Sequence, residues 1–183
     1  MAMLQVPVKA GSITHLTDAR FFAAYDVPYI GFNFDPLSPN YISPTQAMAI
    51  KGWLTGPQFV AEFDNQDEEN IRNIIAFFQP DIVQFTASMI RENPQLLQIT
   101  ELPLIIDLND ACIPADSNNI LFYIVDKLNR SHAIPAEKCM INYRDEIPPP
   151  NPQTPIHLTG TPEQLTGIKV YDAIGDWMEG VSG

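Results

Sequence analysis

Four aspartates, Asp64, Asp107, Asp126 and Asp172, stand at or beside the ends of short apolar runs in this 183-residue chain. If those runs are parallel strands of one sheet, the four carboxylates gather at one edge. There they can hold a metal ion or divide the roles of acid and base. The simpler role of an aspartate after a strand is to cap the turn or helix that follows, and that is the role expected here. Lys9 is a further candidate base, with no assignable role. His15, His132 and His157 lack H-E-x-x-H or comparable spacing, and Cys112 and Cys139 form no C-x-x-C pair. No metal site and no cofactor are therefore expected. No serine lies in a nucleophile elbow, and neither a P-loop nor a dinucleotide fingerprint is present.

The elements that must position these groups alternate between apolar runs and helical patterns. Residues 4–10 read as a first strand that ends in a tight glycine turn at Gly11. A helix over 16–25 follows, with Leu16, Ala19, Phe22 and Ala23 on one face and Thr14 or Thr17 as its cap. Residues 28–34 form a near-continuous apolar run, as expected of a strand covered on both faces. The segment 35–44 is broken by prolines until Ser43 caps a helix with Pro44 at its first position. Residues 58–63 give a third strand, and Asp67-Glu68-Glu69-Asn70 opens a helix with acids near its positive end. Residues 81–87, 102–108 and 120–125 supply further strands. A seventh is predicted at 155–158 and an eighth at 168–171. Residues 109–119 and 162–167 leave little room for helices, and the proline-rich 147–155 reads as an extended surface connection.

Four segments resemble a known family. Lys9-Ala10-Gly11-Ser12-Ile13-Thr14, followed by Asp18-Ala19, is similar to the K-x-C-G-x-T and D-A opening of phosphoribosylanthranilate isomerase. The stretch from Gly31 to Pro44 is similar to that family's G-F-x-F-x-P-x-S-P-R-Y-x-S-P. Asp64-Asn65-Gln66 and residues 81–87 resemble its V-N-Q and D-x-V-Q-L-H-G. The resemblance implies a TIM (β/α)8 barrel formed by residues 1–183 as one domain, with shortened or missing helices in the second half. A typical barrel takes roughly 250 residues.

The family reaction, an internal rearrangement of an aminoaldose phosphate to an aminoketose, needs an acid and a base. The resemblance puts the acid at Asp126, at the end of the sixth strand. The family's base is a cysteine, and Ala10 is read as standing in its place. A substrate-contacting arginine corresponds to Asn40. The family's glycine-rich phosphate cradle corresponds to residues 127–132, which contain no glycine. Its L-A-G-G-L corresponds to residues 158–162, keeping Gly160, and its last motif survives as an echo over 171–179 that includes Asp172. Asn40, Gly160 and Asp172 are thus the implied substrate-binding positions. The departures lead to the expectation of a barrel without isomerase activity that binds a ligand or a protein partner, neither identifiable from the sequence. The alternative is an active aldose-ketose isomerase with a replaced base. The mouth of the pocket is expected to be electronegative or filled by side chains.

A formal net charge of −12 argues against nucleic acid as a partner. No run approaches a membrane span and no leader is recognisable, so a cytoplasmic protein with free thiols is expected. With 45 % hydrophobic residues, the chain has ample material for a core.

Overall fold

A computed structural model describes residues 4–108, 119–126, 134–144, 146–160 and 171–181. Apolar runs become strands wherever they are bounded by turns: β1 (Val8–Gly11), β2 (Tyr29–Asn33), β3 (Gln58–Phe63), β4 (Ile82–Thr86) and β5 (Leu104–Asp107) in the first half, then β6 (Ile120–Asp126), β7 (Cys139–Arg144) and β8 (Ile156–Thr159). All neighbours pair in parallel, and β8 returns to β1 from Val8↔Ile156 through Gly11↔Thr159, closing an eight-stranded barrel. The fold is a TIM barrel.

Helices α1 (Leu16–Ala24), α2 (Pro44–Lys51), α3 (Glu68–Phe78) and the short α4 (Ala87–Glu92) follow the first four strands, and α5 (Asp172–Val181) ends the described chain. Local chemistry explains their starts. Ser43 Oγ accepts from Gln46 N at 3.3 Å while Gln46 Oε1 accepts from Ser43 N, a reciprocal cap ahead of Pro44. The Asp67 carboxylate accepts from Asn70 N at 2.8 Å, and Thr86 Oγ1 accepts from Met89 N. The cap of α1 is His15, which makes no side-chain capping bond, so neither Thr14 nor Thr17 holds the place expected of it. The turn before it depends on Ser12 rather than Gly11, because Ser12 takes the left-handed conformation at φ 55°.

Two further expectations change. The seventh strand is Cys139–Arg144, and the segment expected to be seventh is β8. The inward Asn142 interrupts the apolar run of β7, which removes the signal of a fully buried strand. Of the expected eighth strand, residues 168–170 lie outside the described residues, and Tyr171 leads into a helix. Residues 109–118 and 161–170 also lie outside them, so the shortened helices expected there are not described. Residues 147–155 are non-helical, as expected.

Strand alternation sorts the side chains into two layers. Outward residues such as Val8, Ala10, Phe32, Phe63 and Phe85 join Phe22, Ile71 and Phe78 of the helices in the main core. Inward Val60, Ile82, Ile105, Ile124 and Met140 fill the lower barrel as a separate apolar floor. Among the described residues no helix is long and apolar enough to cross a membrane.

Helix α5 buries Trp177, Met178 and Val181, and Trp177 Nε1 donates to the Pro149 carbonyl at 2.9 Å. Just before it, Tyr171 stacks on Phe21 with ring centroids 4.2 Å apart and donates its hydroxyl to the buried Asp18. Trp177→Ala is expected to destabilise the barrel by about 3–5 kcal/mol, and Trp177→Phe by about 1 kcal/mol through the lost hydrogen bond. Urea unfolding of the two variants checks both values.

Candidate functional site

Above the apolar floor, every strand turns a polar side chain inward. Lys9 and Glu62 are the deepest. Each sits in the middle of a buried apolar strand, on β1 and β3, and their side chains form an ion pair that is 0 % and 2 % exposed. A single buried charge would be very costly, so each of these residues requires the other. The second Glu62 oxygen accepts from Ser12 N at 3.0 Å and Ser12 Oγ at 3.1 Å. The left-handed Ser12 therefore points both of its donors down at the carboxylate.

Two glycines make room for the pair. A Cβ on Gly11 would lie 2.7 Å from both Glu62 Oε1 and Lys9 Nζ and would meet the His157 ring; one on Gly31 would overlap the Glu62 carboxylate. His157, inward on β8 opposite Lys9, is buried, and its Nδ1 has no hydrogen-bond partner. Burial, and then the charge of Lys9, hold its imidazole well below the ordinary histidine range, so the ring is neutral. Gln84, inward on β4 opposite Glu62, is buried with its Oε1 unpartnered.

One layer higher, Asn33 Nδ2 donates to Asp64 Oδ2 at 2.6 Å, and Asn33 Oδ1 accepts from Asp35 N at 2.9 Å. Gln66 reaches back to the Phe34 carbonyl. Burial raises the pKa of Asp64, as do the charges of Glu62 and Asp35, against the lowering effects of the Asn33 bond and Lys9. Thr86 Oγ1 donates to the Asp64 carbonyl at 3.4 Å. Asp107 and Asp126 end β5 and β6, and Asn142 of β7 lies opposite Asp126.

The residues singled out in the sequence fall in different places. Asp64, Asp107 and Asp126 share the C-terminal mouth of the barrel, whereas Asp172 opens α5 and is exposed. Among the described residues no three His, Cys, Asp or Glu side chains are grouped to hold a metal ion. Asn40 is exposed on the loop after β2, its N–H directed to Ser38 Oγ. Gly160 follows the last strand rather than the seventh, with its N–H on the Gly11 carbonyl at 2.9 Å.

Ala10 is fully buried on the outer face of β1, in the core against the helices. The inward residue is Gly11, because Lys9 and Gly11 share the face that Ala10 does not. Counting K-x-C-G-x-T from Lys9 also brings the cysteine position to Gly11. Glu62, Ser12, Gln84 and Asn33 escaped the sequence reading. For Glu62 a signal existed: Lys9 and Glu62 are opposite charges, each enclosed by apolar residues of a strand.

No family model matches the chain. Among curated proteins, the N-(5'-phosphoribosyl)anthranilate isomerases of Thermotoga petrophila and Thermotoga maritima are each 38% identical over 82 residues. That match covers 43% of this chain and 39% of each relative, so the chain spans about two fifths of the length of the curated relatives it matches. The phosphoribosyl anthranilate isomerase of Thermus thermophilus superposes with a TM-score of 0.71 at 17% identity, over 96% of this chain and 98% of that one. The isomerase of Pyrococcus furiosus gives 0.68 at 11% identity, over 97% and 98%. The chain is phosphoribosylanthranilate isomerase-like. Across its full length the likeness to the solved structures is one of fold, and the stronger sequence likeness is confined to 82 residues.

In this phosphoribosylanthranilate isomerase-like barrel, removing one member of the Lys9–Glu62 pair leaves the other charge buried. Lys9→Met and Glu62→Leu are each expected to cost about 3–5 kcal/mol, and the double variant to recover most of the loss. A double-mutant cycle by denaturant unfolding measures this. His157 adds a pH dependence. Above its ordinary value of 6.5 the ring is neutral in both folded and unfolded chains. As the pH falls below that value, the unfolded chain takes up a proton that the buried ring refuses. Stability should then drop by up to about 1.4 kcal/mol per pH unit. The slope of unfolding free energy between about pH 7 and pH 5 should flatten in His157→Gln.

Proposed function

We propose that this chain is an isomerase-like barrel without isomerase activity, whose C-terminal mouth binds a small ligand or a protein partner in the cytoplasm. One observation carries the reading: the inward position at the end of β1 is Gly11, and the space beside it is taken by the Lys9–Glu62 pair. The family's base acts from a side chain, and Gly11 has none. Asp126 retains the place of the acid, but an acid without a base completes half of the proton transfer. Asn40, in the place of the substrate-contacting arginine, brings no charge to a phosphate.

The second reading is an isomerase with a replaced base, and it has its own support. The Glu62 carboxylate lies 2.7 Å from where a side chain at position 11 would begin, nearer than any other acid named here. Against it, Glu62 is already committed to Lys9 and Ser12.

Loss of a general base removes about 10²- to 10⁴-fold of rate. The purified chain is therefore expected to show no measurable turnover of phosphoribosylanthranilate, and its gene to leave a tryptophan auxotroph unrescued. Gly11→Cys alone should not restore growth, because its side chain meets the ion pair and the His157 ring. Rescue by the unaltered chain, abolished in Glu62→Gln, would establish the second reading instead.

A further inference from the structure

Among the described residues, the barrel mouth holds a buried acceptor that no protein donor satisfies. Glu62, Asp64 and Asp35 lie close enough for the charges of Glu62 and Asp35 to act on Asp64. Lys9 is the cation among them, and its ammonium is already committed to Glu62. Below Asp64, on the neighbouring strand, Gln84 points inward with its Oε1 unpartnered although the residue is only 6% exposed. Its strand neighbours Val83 and Phe85 pack outward in the main core, which fixes this direction. A buried acceptor left without a donor costs free energy that a bound donor recovers.

We propose that this mouth takes a small molecule carrying a primary ammonium group, held between the Asp64 carboxylate and Gln84 Oε1. The inference rests on the ligand-binding reading above and names the ligand's chemical class. An ammonium fits better than a metal ion. Metal ions need oxygen ligands gathered at about 2.0–2.6 Å, and no such group of acids exists among the described residues. An ammonium offers three separate donors on a carbon stem and can meet acceptors standing apart in different layers. It also compensates the carboxylates of Asp64 and Asp35, which among the described residues outnumber the one cation beside them, already paired with Glu62, and repel a phosphate.

The test is calorimetric titration of the full chain with glucamine, its uncharged counterpart sorbitol, and ribose phosphate. Glucamine is expected to bind at least about tenfold more tightly than sorbitol, the factor of a single charge-assisted hydrogen bond. Asp64→Asn, which keeps the side-chain shape, should erase that preference, and Gln84→Met should weaken glucamine binding while both variants keep a native melting transition. Equal binding of glucamine and sorbitol, no glucamine binding, or a preference unchanged in Asp64→Asn would each overturn the inference. If these failures come without isomerase activity, they overturn the inference alone. Tight binding of ribose phosphate together with turnover would overturn the proposed function as well.

Discussion

The buried ion pair between Lys9 and Glu62 is the constraint around which the upper barrel is arranged. It joins β1 to β3 across the interior, although β2 lies between them in the sheet. Such a bridge needs space, and Gly11 and Gly31 provide it by lacking side chains on the same inner face. It also needs its spare oxygen satisfied, and the left-handed Ser12 turns its amide and hydroxyl to that task. The neutral state of His157 follows in part from the same pair, because a second positive charge beside Lys9 in a low-dielectric interior is unfavourable. A buried pair of this kind is weak evidence for stability, since desolvation offsets most of the attraction. Its clearer effect is geometric: it fixes what occupies the centre of the mouth.

Much of this fold was legible in the chain because the first half keeps its signals clean. Residues 58–63 read as a strand and are β3 to the residue, while Ser43-Pro44 and Asp67 mark helix starts by chemistry that acts locally. The second half was less legible for physical reasons. In β7 the inward Asn142 belongs to the mouth, so a polar residue broke the apolar run that identifies a strand. Helix α5 carries Ile174, Trp177, Met178 and Val181 at helical spacing, but its glycines and the neighbouring motif echo masked the pattern.

The site shows a different limit. Sequence resemblance pointed to the end of β1; the two-residue period of the strand turns Gly11, and not Ala10, to the interior, and the count from Lys9 agrees. The partner of Lys9 lies 53 positions away along the chain, which no local pattern reveals. Charges enclosed in apolar strands were the available clue, and a clue of that kind names the type of partner without naming its position.

Closure of the barrel through β1 and β8 also shapes how the molecule can come into being. During synthesis β1 emerges before the other strands of the barrel, and its free edge lacks its barrel neighbour on that side until β8 has left the ribosome. Until then the nascent chain carries an unsealed seam, and such edges invite pairing with other chains. The clasp of Tyr171 onto Phe21 and Asp18 lies just beyond β8, and it ties the late-made helix to the earliest one. Sealing of the barrel through β8 and capture of α5 are therefore coupled, and the open half-barrel before them is the species that exposes an unpaired edge.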